Sequence, residues 1–234
     1  MAGPVLLPLL RLQETIVACR ACPRLVRYRE QVAATKVRRY RDWQYWGRPV
    51  PPFGDPAARL LVIGLAPAAH GGNRTGRIFT GDRSGDWPFA ALHRFGFANQ
   101  PTSAHRGDGL ALRGCYITAA VRCAPPGNRP SRAELTRCRP YLVEEMRLLD
   151  GVKVVVALGR VALDAYLETR RALGQPLPSP RPAFRHGAAY RLPGGPLLIT
   201  SYHPSQQNTL TGRLTRSMFH RVFARVRRAL GKAA

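Results

Sequence analysis

The sequence predicts an α/β sandwich with a mainly parallel sheet. Short apolar runs recur along the chain, segments with helical periodicity and cap signals separate them, and glycine-containing polar loops follow them. Residues 11–30 read as a helix with Leu12, Ile16, Leu25 and Val26 on its apolar positions and a Cys-Pro break at 22–23. Residues 31–58 are basic and aromatic and end in a run of prolines, which reads as a loop or hairpin. Leu60–Gly64 is a buried strand entering a glycine-rich loop. Asp86-Trp87-Pro88 looks like an N-cap with proline in the first turn, opening a helix to about Phe95.

Tyr116 to Val121 is the second strand. Pro130-Ser131 opens a helix to Leu149, with Glu134 spaced for a capping box. Val152 to Leu158 is the third strand, and an amphipathic helix over 160–171 follows Gly159. A proline-rich loop occupies 174–182. Tyr190–Leu192 and Leu197–Thr200 flank Pro193-Gly194-Gly195-Pro196 as a hairpin, and a basic helix closes the chain from about Leu214. In a parallel α/β sheet, ligands sit beyond the carboxyl ends of the strands. The loops after Gly64, Arg122, Gly159 and Ser201 are therefore the ones to inspect.

The chain has 234 residues, enough for one well-packed domain and too few for two large ones. Its 37 basic and 13 acidic residues give a net charge of +24. Hydrophobic content is ordinary, which argues against disorder. No apolar run approaches the ~20 residues that span a bilayer, so we expect no membrane partner through a spanning helix. A polyanion is the natural partner, nucleic acid first and an anionic membrane surface second. All basic residues but Lys36, Lys153 and Lys232 are arginine. A GC-rich genome explains arginine over lysine but not the shortage of acids. Residues 5–10 and 16–19 imitate a lipoprotein leader, yet Arg11, Gln13 and Glu14 interrupt the pattern and no basic residue precedes it. We expect no signal peptide and a cytoplasmic protein. In that reducing setting the five cysteines read as ligands or buried thiols.

Three constellations carry chemistry. The first is the loop 64–85, with six glycines in 22 residues, which lets backbone approach a ligand closely. It lacks the Gly-Lys-Ser/Thr of a phosphate-binding P-loop and is too long for a dinucleotide fingerprint. Asp86 reads as a helix cap; Asp82 reads as a functional carboxylate or a turn-stabilising Asx residue. Phe79 suits either the core or an aromatic face for a planar ligand. The second is Ser201 to Asn208, where His203 stands at a strand end, braced by Pro204 and followed by amides and hydroxyls. The third is Cys19-x2-Cys22 with Cys123-x14-Cys138, leaving Cys115 over. Four thiols fit structural zinc, a [4Fe–4S] cluster or an unliganded buried set, and spacing does not choose among them.

Together, Gly64-Leu65-Ala66-Pro67, the stretch Thr75 to Asp82, the stretch Val121 to Asn128 and His203-Pro204-Ser205 resemble the uracil-DNA glycosylase superfamily. The four cysteines point to its iron–sulfur members, and Ala66 to Arg77 with His203 to Asn208 resembles the type-5 branch. The resemblance covers Cys19 to about Leu214. It implies a three-layer α/β/α sandwich around a mainly parallel central sheet. It further implies one [4Fe–4S] cluster on Cys19, Cys22, Cys123 and Cys138, and excision of deaminated bases from DNA. The expected organisation is a single domain over 1–234 whose N-terminal segment, about 1–58, is tied to the core by the cluster.

Other branches place an acidic or amide residue soon after the first strand to activate water, where this chain has Leu65, Ala66 and Ala68. The type-4 branch carries an asparagine four residues before the third cysteine, where this chain has Ala119. Both absences are expected of type 5.

A base must be flipped out of the duplex before an enzyme can act on it. The catalytic residues we expect are Asp82, to orient water and stabilise the sugar cation, and His203, to donate to the leaving base. The base-binding set is Gly64, Ala66, Phe79, Asn128 and His203. Gln206, Gln207 and Leu210 form the expected DNA wedge loop, although Leu210 could equally anchor the last helix. Uracil, hypoxanthine and other deaminated or damaged bases are the expected substrates, in single- or double-stranded DNA. The protein is expected to act as a monomer associated with the nucleoid. Two competing readings are a non-catalytic, metal-stapled nucleic-acid-binding protein and an iron–sulfur electron carrier. The first leaves both strand-end loops unexplained; the second has no use for the basic surface.

Overall fold

The central strands are buried along almost their whole length, and their side chains alternate between the two faces of the sheet, so a core forms on each face. The computed structural model describes residues 5–231; the expected domain's ends, 1–4 and 232–234, lie outside them. Helices α1 (Leu6–Ala18) and α2 (Pro23–Thr35) come first, then β1 (Phe53–Gly54), β2 (Leu60–Gly64), α3 (Gly72–Thr75) and α4 (Asp86–Arg94). Next are β3 (Cys115–Ala119), α5 (Arg132–Leu148), β4 (Val154–Leu158) and α6 (Arg160–Ala172). β5 (Ala189–Arg191), β6 (Leu197–Ser201), α7 (Gln206–Leu210) and α8 (Arg216–Leu230) complete the chain.

The strand order is β1-β3-β2-β4-β6-β5. The four inner strands are mutually parallel, and the short edges β1 and β5 run antiparallel to their neighbours. Val62, Ile117, Val156 and Ile199 point to one face and pack with Phe89 of α4 and Phe219, Val222 and Phe223 of α8. Ile63, Tyr116, Ala157 and Leu198 point to the other, against Leu9 of α1, Leu142 of α5 and Leu163 and Tyr166 of α6. Period-two strands and amphipathic helices thus give three layers, α/β/α, as expected.

Several elements differ from expectation. The first helix is two, because Pro23 begins a new helix and Cys22 takes extended backbone angles before it. α1 starts at Leu6, five residues early, with Pro8 accommodated in its first turn. Asp86 is no cap: Gly85 holds that position, and no side chain bonds there. The expected loop over 31–58 contains the end of α2, a 3-10 turn at Arg38–Tyr40 and the edge strand β1. Ser131 and Glu134 do form the capping box, with both reciprocal bonds present. Leu214 is buried just before α8 and fills the anchoring position that Leu210 does not.

β2 is followed by β3 on one side and, after the next crossover, by β4 on the other. That reversal opens a crevice at the carboxyl ends of the strands.

Candidate active site

A cleft of about 540 Å³ occupies that crevice, walled by Leu65, Ala66, Ala68, Phe79, Asp82 and Ser84 from the β2 loop. His203, Ser205, Gln206 and Gln207 enter from the β6 loop, and Asn128 enters from the β3 loop. Three segments far apart in sequence meet because their strands run parallel. Asp82 is the cleft's only carboxylate among the described residues.

Asp82 holds a turn and still offers an oxygen. Its Oδ1 accepts from the Ser84 N–H (2.9 Å), the Gly85 N–H (3.2 Å) and the Ser84 hydroxyl. Oδ2 has no donor among the described residues. A Cβ on Gly71 would lie 2.1 Å from it, so the bare glycine backbone is what leaves that oxygen room. The Asx-turn role and the functional role are therefore complementary, each using its own oxygen.

Phe79 adopts φ +55°, a left-handed conformation that costs a bulky residue about 1–3 kcal/mol. Two glycines hold it there. A Cβ on Gly64 would approach the ring to 2.7 Å, and one on Gly85 would reach the Phe79 carbonyl oxygen at 1.8 Å. Gly64, expected among the base-binding residues, thus sits behind the ring rather than on the cleft wall. Ala119 is opposite Gly64 in the sheet and fully buried in the core that includes Phe79. Asn128 is exposed at the rim, also left-handed at φ +56°.

His203 lies 5.7 Å from Phe79 between ring centroids, tilted by 40°. Its carbonyl accepts from Asn208 Nδ2 at 2.8 Å, which fastens the loop. Gly159, at φ +97° after β4, packs beneath it. Burial pushes the His203 imidazole down to about 4, opposed by the Asp82 charge. The ring is neutral at pH 7, with one N–H donor and one acceptor, and neither nitrogen is bonded within the described residues. Beside it Tyr202 stacks on His186 at 5.1 Å, a contact that the sequence did not announce.

Gln206, Gln207 and Leu210 fall on α7, a short helix rather than a loop, with the Ser205 hydroxyl as cap. Both glutamines face the cleft. Leu210 is 71% exposed and lines no part of it. A second hollow of about 670 Å³ shares Ala68, Asp82, Asn128 and Gln206 with the cleft and continues to Tyr28, Arg39, Tyr40 and Arg83.

Two arginines of the glycine-rich loop, Arg74 and Arg77, are internal braces, while Arg83 is exposed. Arg74 lies between the Tyr40 and Trp43 rings, 3.9 and 4.0 Å from their centroids, and donates to the His70 and Gly81 carbonyls. It clasps the aromatic N-terminal segment to the site loop. Arg77 pairs with Asp108 at 2.7 Å and donates to the Arg106 carbonyl.

Cys19, Cys22, Cys123 and Cys138 line one small apolar hollow with Leu25, Val26 and Tyr141, and none is in a disulfide. Burial pushes the Cys123 thiol up to about 12 and Cys138 up to about 11. Cys115 belongs to the sheet core instead. No three metal-binding side chains among the described residues are gathered closely enough to hold one metal ion. The Arg122 N–H donates to Cys138 Sγ at 3.3 Å, and its guanidinium pairs with Glu145 at 2.8 Å and donates to Thr118. Cys138 and Glu145 are seven residues apart on α5, so one helix face serves both contacts. No helix among the described residues is long and apolar enough to cross a membrane.

Residues 51–227 match the family model described as the uracil DNA glycosylase superfamily. A type-5 uracil-DNA glycosylase of Mycobacterium tuberculosis is 51% identical over 94% of this chain and 81% of its own length. One from Thermus thermophilus is 53% identical over 93% of this chain and 96% of its own. A type-4 uracil-DNA glycosylase of Pyrobaculum aerophilum is 31% identical over 68% and 64%.

Proposed function

The chain belongs to the uracil DNA glycosylase superfamily, and from that premise we propose how its cleft works and what else it accepts. It is a glycosylase that excises uracil from DNA in repair. The observation that carries the mechanism is the presence in one cleft of a neutral, unbonded His203 ring beside Phe79 and a single carboxylate with one oxygen free.

A flipped base enters between Phe79 and the alanine-lined wall, stacking on the ring. His203 donates an N–H to the carbonyl oxygen that gains charge as the glycosidic bond breaks. Asp82 Oδ2 orients the attacking water and stabilises the positive sugar. Asn128 meets the base at the rim, and α7 presents Gln206, Gln207 and the exposed Leu210 to the gap left in the stack. Phosphates of neighbouring nucleotides follow the Arg39 and Arg83 side of the adjoining hollow. The enzyme works as a monomer at the nucleoid, each cleft being built from one chain.

Ala119, where the type-4 branch carries an asparagine that reads the edge of uracil, offers no side-chain amide, so the pocket is relaxed and hypoxanthine and other deaminated bases are substrates too. Duplexes carrying one uracil, hypoxanthine, xanthine, thymine or adenine, treated with alkali after incubation, test this. Cleavage at uracil and hypoxanthine but not at thymine or adenine is expected; cleavage at uracil alone would overturn the wider range. Affinity for duplex DNA should fall about 10³-fold or more between ~50 and ~200 mM salt if six or more phosphates are neutralised. A flat salt response would count against the basic track.

The four converging thiols hold one [4Fe–4S] cluster. Their donor chemistry fits it, and all four thiols line one small, largely apolar hollow. Bound there, the cluster supplies cross-links between the start of α2, the β3 loop and α5 that tie the N-terminal segment to the core. Binding it requires the thiols to lose their protons. Purified protein should be yellow-brown with absorbance near ~400 nm. Cys115→Ser should keep the colour and Cys138→Ser should lose it along with soluble protein. Colourless protein with one zinc would refute the cluster.

A further inference from the structure

Arg29 is a buried charge that the mechanism does not use and that the fold pairs only weakly. It is 2% exposed, and its Nε and Nη1 have no hydrogen-bond partner among the described residues. Nη2 reaches Glu30 Oε1 only at 3.5 Å, and that carboxylate is already held by Arg20 at 2.6 Å. An isolated guanidinium is expensive to bury, so something facing it must carry negative charge or accept hydrogen bonds.

Its place on α2 shows what that is. Cys22 precedes the helix, Leu25 and Val26 line the cysteine hollow, and Arg29 follows them at the spacing of one helix face. The other fully buried cation nearby, Arg122, is committed to Glu145. Asn73 Nδ2 donates to the Arg29 carbonyl at 3.1 Å, fixing this turn of α2 against the glycine-rich loop.

We propose that Arg29, on the helix face that Cys22, Leu25 and Val26 present to the cysteine hollow, is the internal counter-charge of the iron–sulfur cluster, its unpartnered Nε and Nη1 being the donors available to it. The inference rests on the cluster reading given above. Four thiolates around a [4Fe–4S] core leave a net charge of about −2, and burial makes that charge costly unless a cation faces it. Arg29 therefore sets how readily the cluster takes an additional electron, because net charge and hydrogen bonds to sulfur tune such potentials. It acts through the cluster and is a positioning and tuning residue, not a catalytic one.

The test compares the purified full chain with its Arg29→Gln and Arg29→Lys variants, measuring iron and sulfide content and the midpoint potential by spectroelectrochemical titration. The glutamine form, polar but uncharged, should shift the reduction equilibrium at least ~10-fold toward the oxidised cluster, ~59 mV for one electron. The lysine form should stay within about threefold of the parent, ~28 mV, because it keeps the charge. An unshifted glutamine form, or a lysine form shifted as far as glutamine, would overturn the proposal. If the glutamine form does not fold, the lysine form decides alone: parental iron content and potential support the counter-charge, and a tenfold shift overturns it. Parent protein lacking iron and sulfide would sink the cluster reading and this inference with it, whereas a loaded parent with unshifted variants would sink only the inference.

Discussion

Asp82→Asn is expected to preserve folding and DNA binding while slowing single-turnover excision of uracil about 10²–10⁴-fold. The substitution is clean for a structural reason. Oδ1, which accepts from Ser84 and Gly85, survives as the amide oxygen, so the turn keeps its hydrogen bonds. Oδ2 alone becomes an uncharged NH₂ group, which neither accepts a proton from water nor offsets a cationic sugar. Quench-flow rates beside melting temperatures separate the two roles of the carboxylate. An unchanged rate with unchanged stability would return Asp82 to the turn alone.

The second large effect is expected at His203. Its contact with the base oxygen strengthens as the bond breaks, so His203→Ala should slow excision about 10²–10³-fold, roughly 3–4 kcal/mol. Affinity for a duplex carrying an abasic site should barely change, since no base remains to receive the bond. If rate and abasic-site affinity collapse together, the residue serves the fold or the phosphates instead. The parent enzyme adds a pH signature. Folded His203 titrates near 4 and an unfolded histidine near its ordinary value of 6.5. The unfolded chain therefore binds the extra proton first as pH falls from about 6.5 to 4. Stability drains across that window, while the neutral donor persists until its lower end. A single-turnover rate that titrates between pH 6 and 7 with a histidine's slope, and loses that slope in His203→Ala, would contradict a ring held neutral by burial.

The strands and their loops were legible because a parallel sheet buried on both faces leaves uninterrupted apolar runs, as in Val154–Leu158, and because Ser131 and Glu134 carry their cap in their own side chains. What was illegible follows physical lines as well. β1 is two residues long and owes its existence to the edge of β3, so no local pattern marks it. Asp86 has cap chemistry, but the chain already turns helical one residue earlier. Asp82, Phe79 and His203 could be nominated from their places after strands, and the structure gathers them in one cleft. Gly71 and Ser84, which position the Asp82 carboxylate, could not be nominated, because a glycine's value lies in what presses against it. Arg74, Arg77 and Arg29 were hidden by the composition itself. Among 34 arginines nothing local separates a solvated side chain from one packed against two aromatic rings.

Gly64, Gly71 and Gly85 have a consequence for how this enzyme can drift over generations. None offers a side chain to DNA, yet the smallest enlargement of any one drives a methyl group into the Phe79 ring, the Asp82 carboxylate or the Phe79 carbonyl. Evolution can therefore rework the rim of the cleft, where Asn128 and Gln206 stand exposed, far more freely than the hidden ground beneath it. A saturation library selected for repair should show intolerance at three residues that bear no functional group as deep as at Asp82 and His203, with lenient positions on the exposed rim.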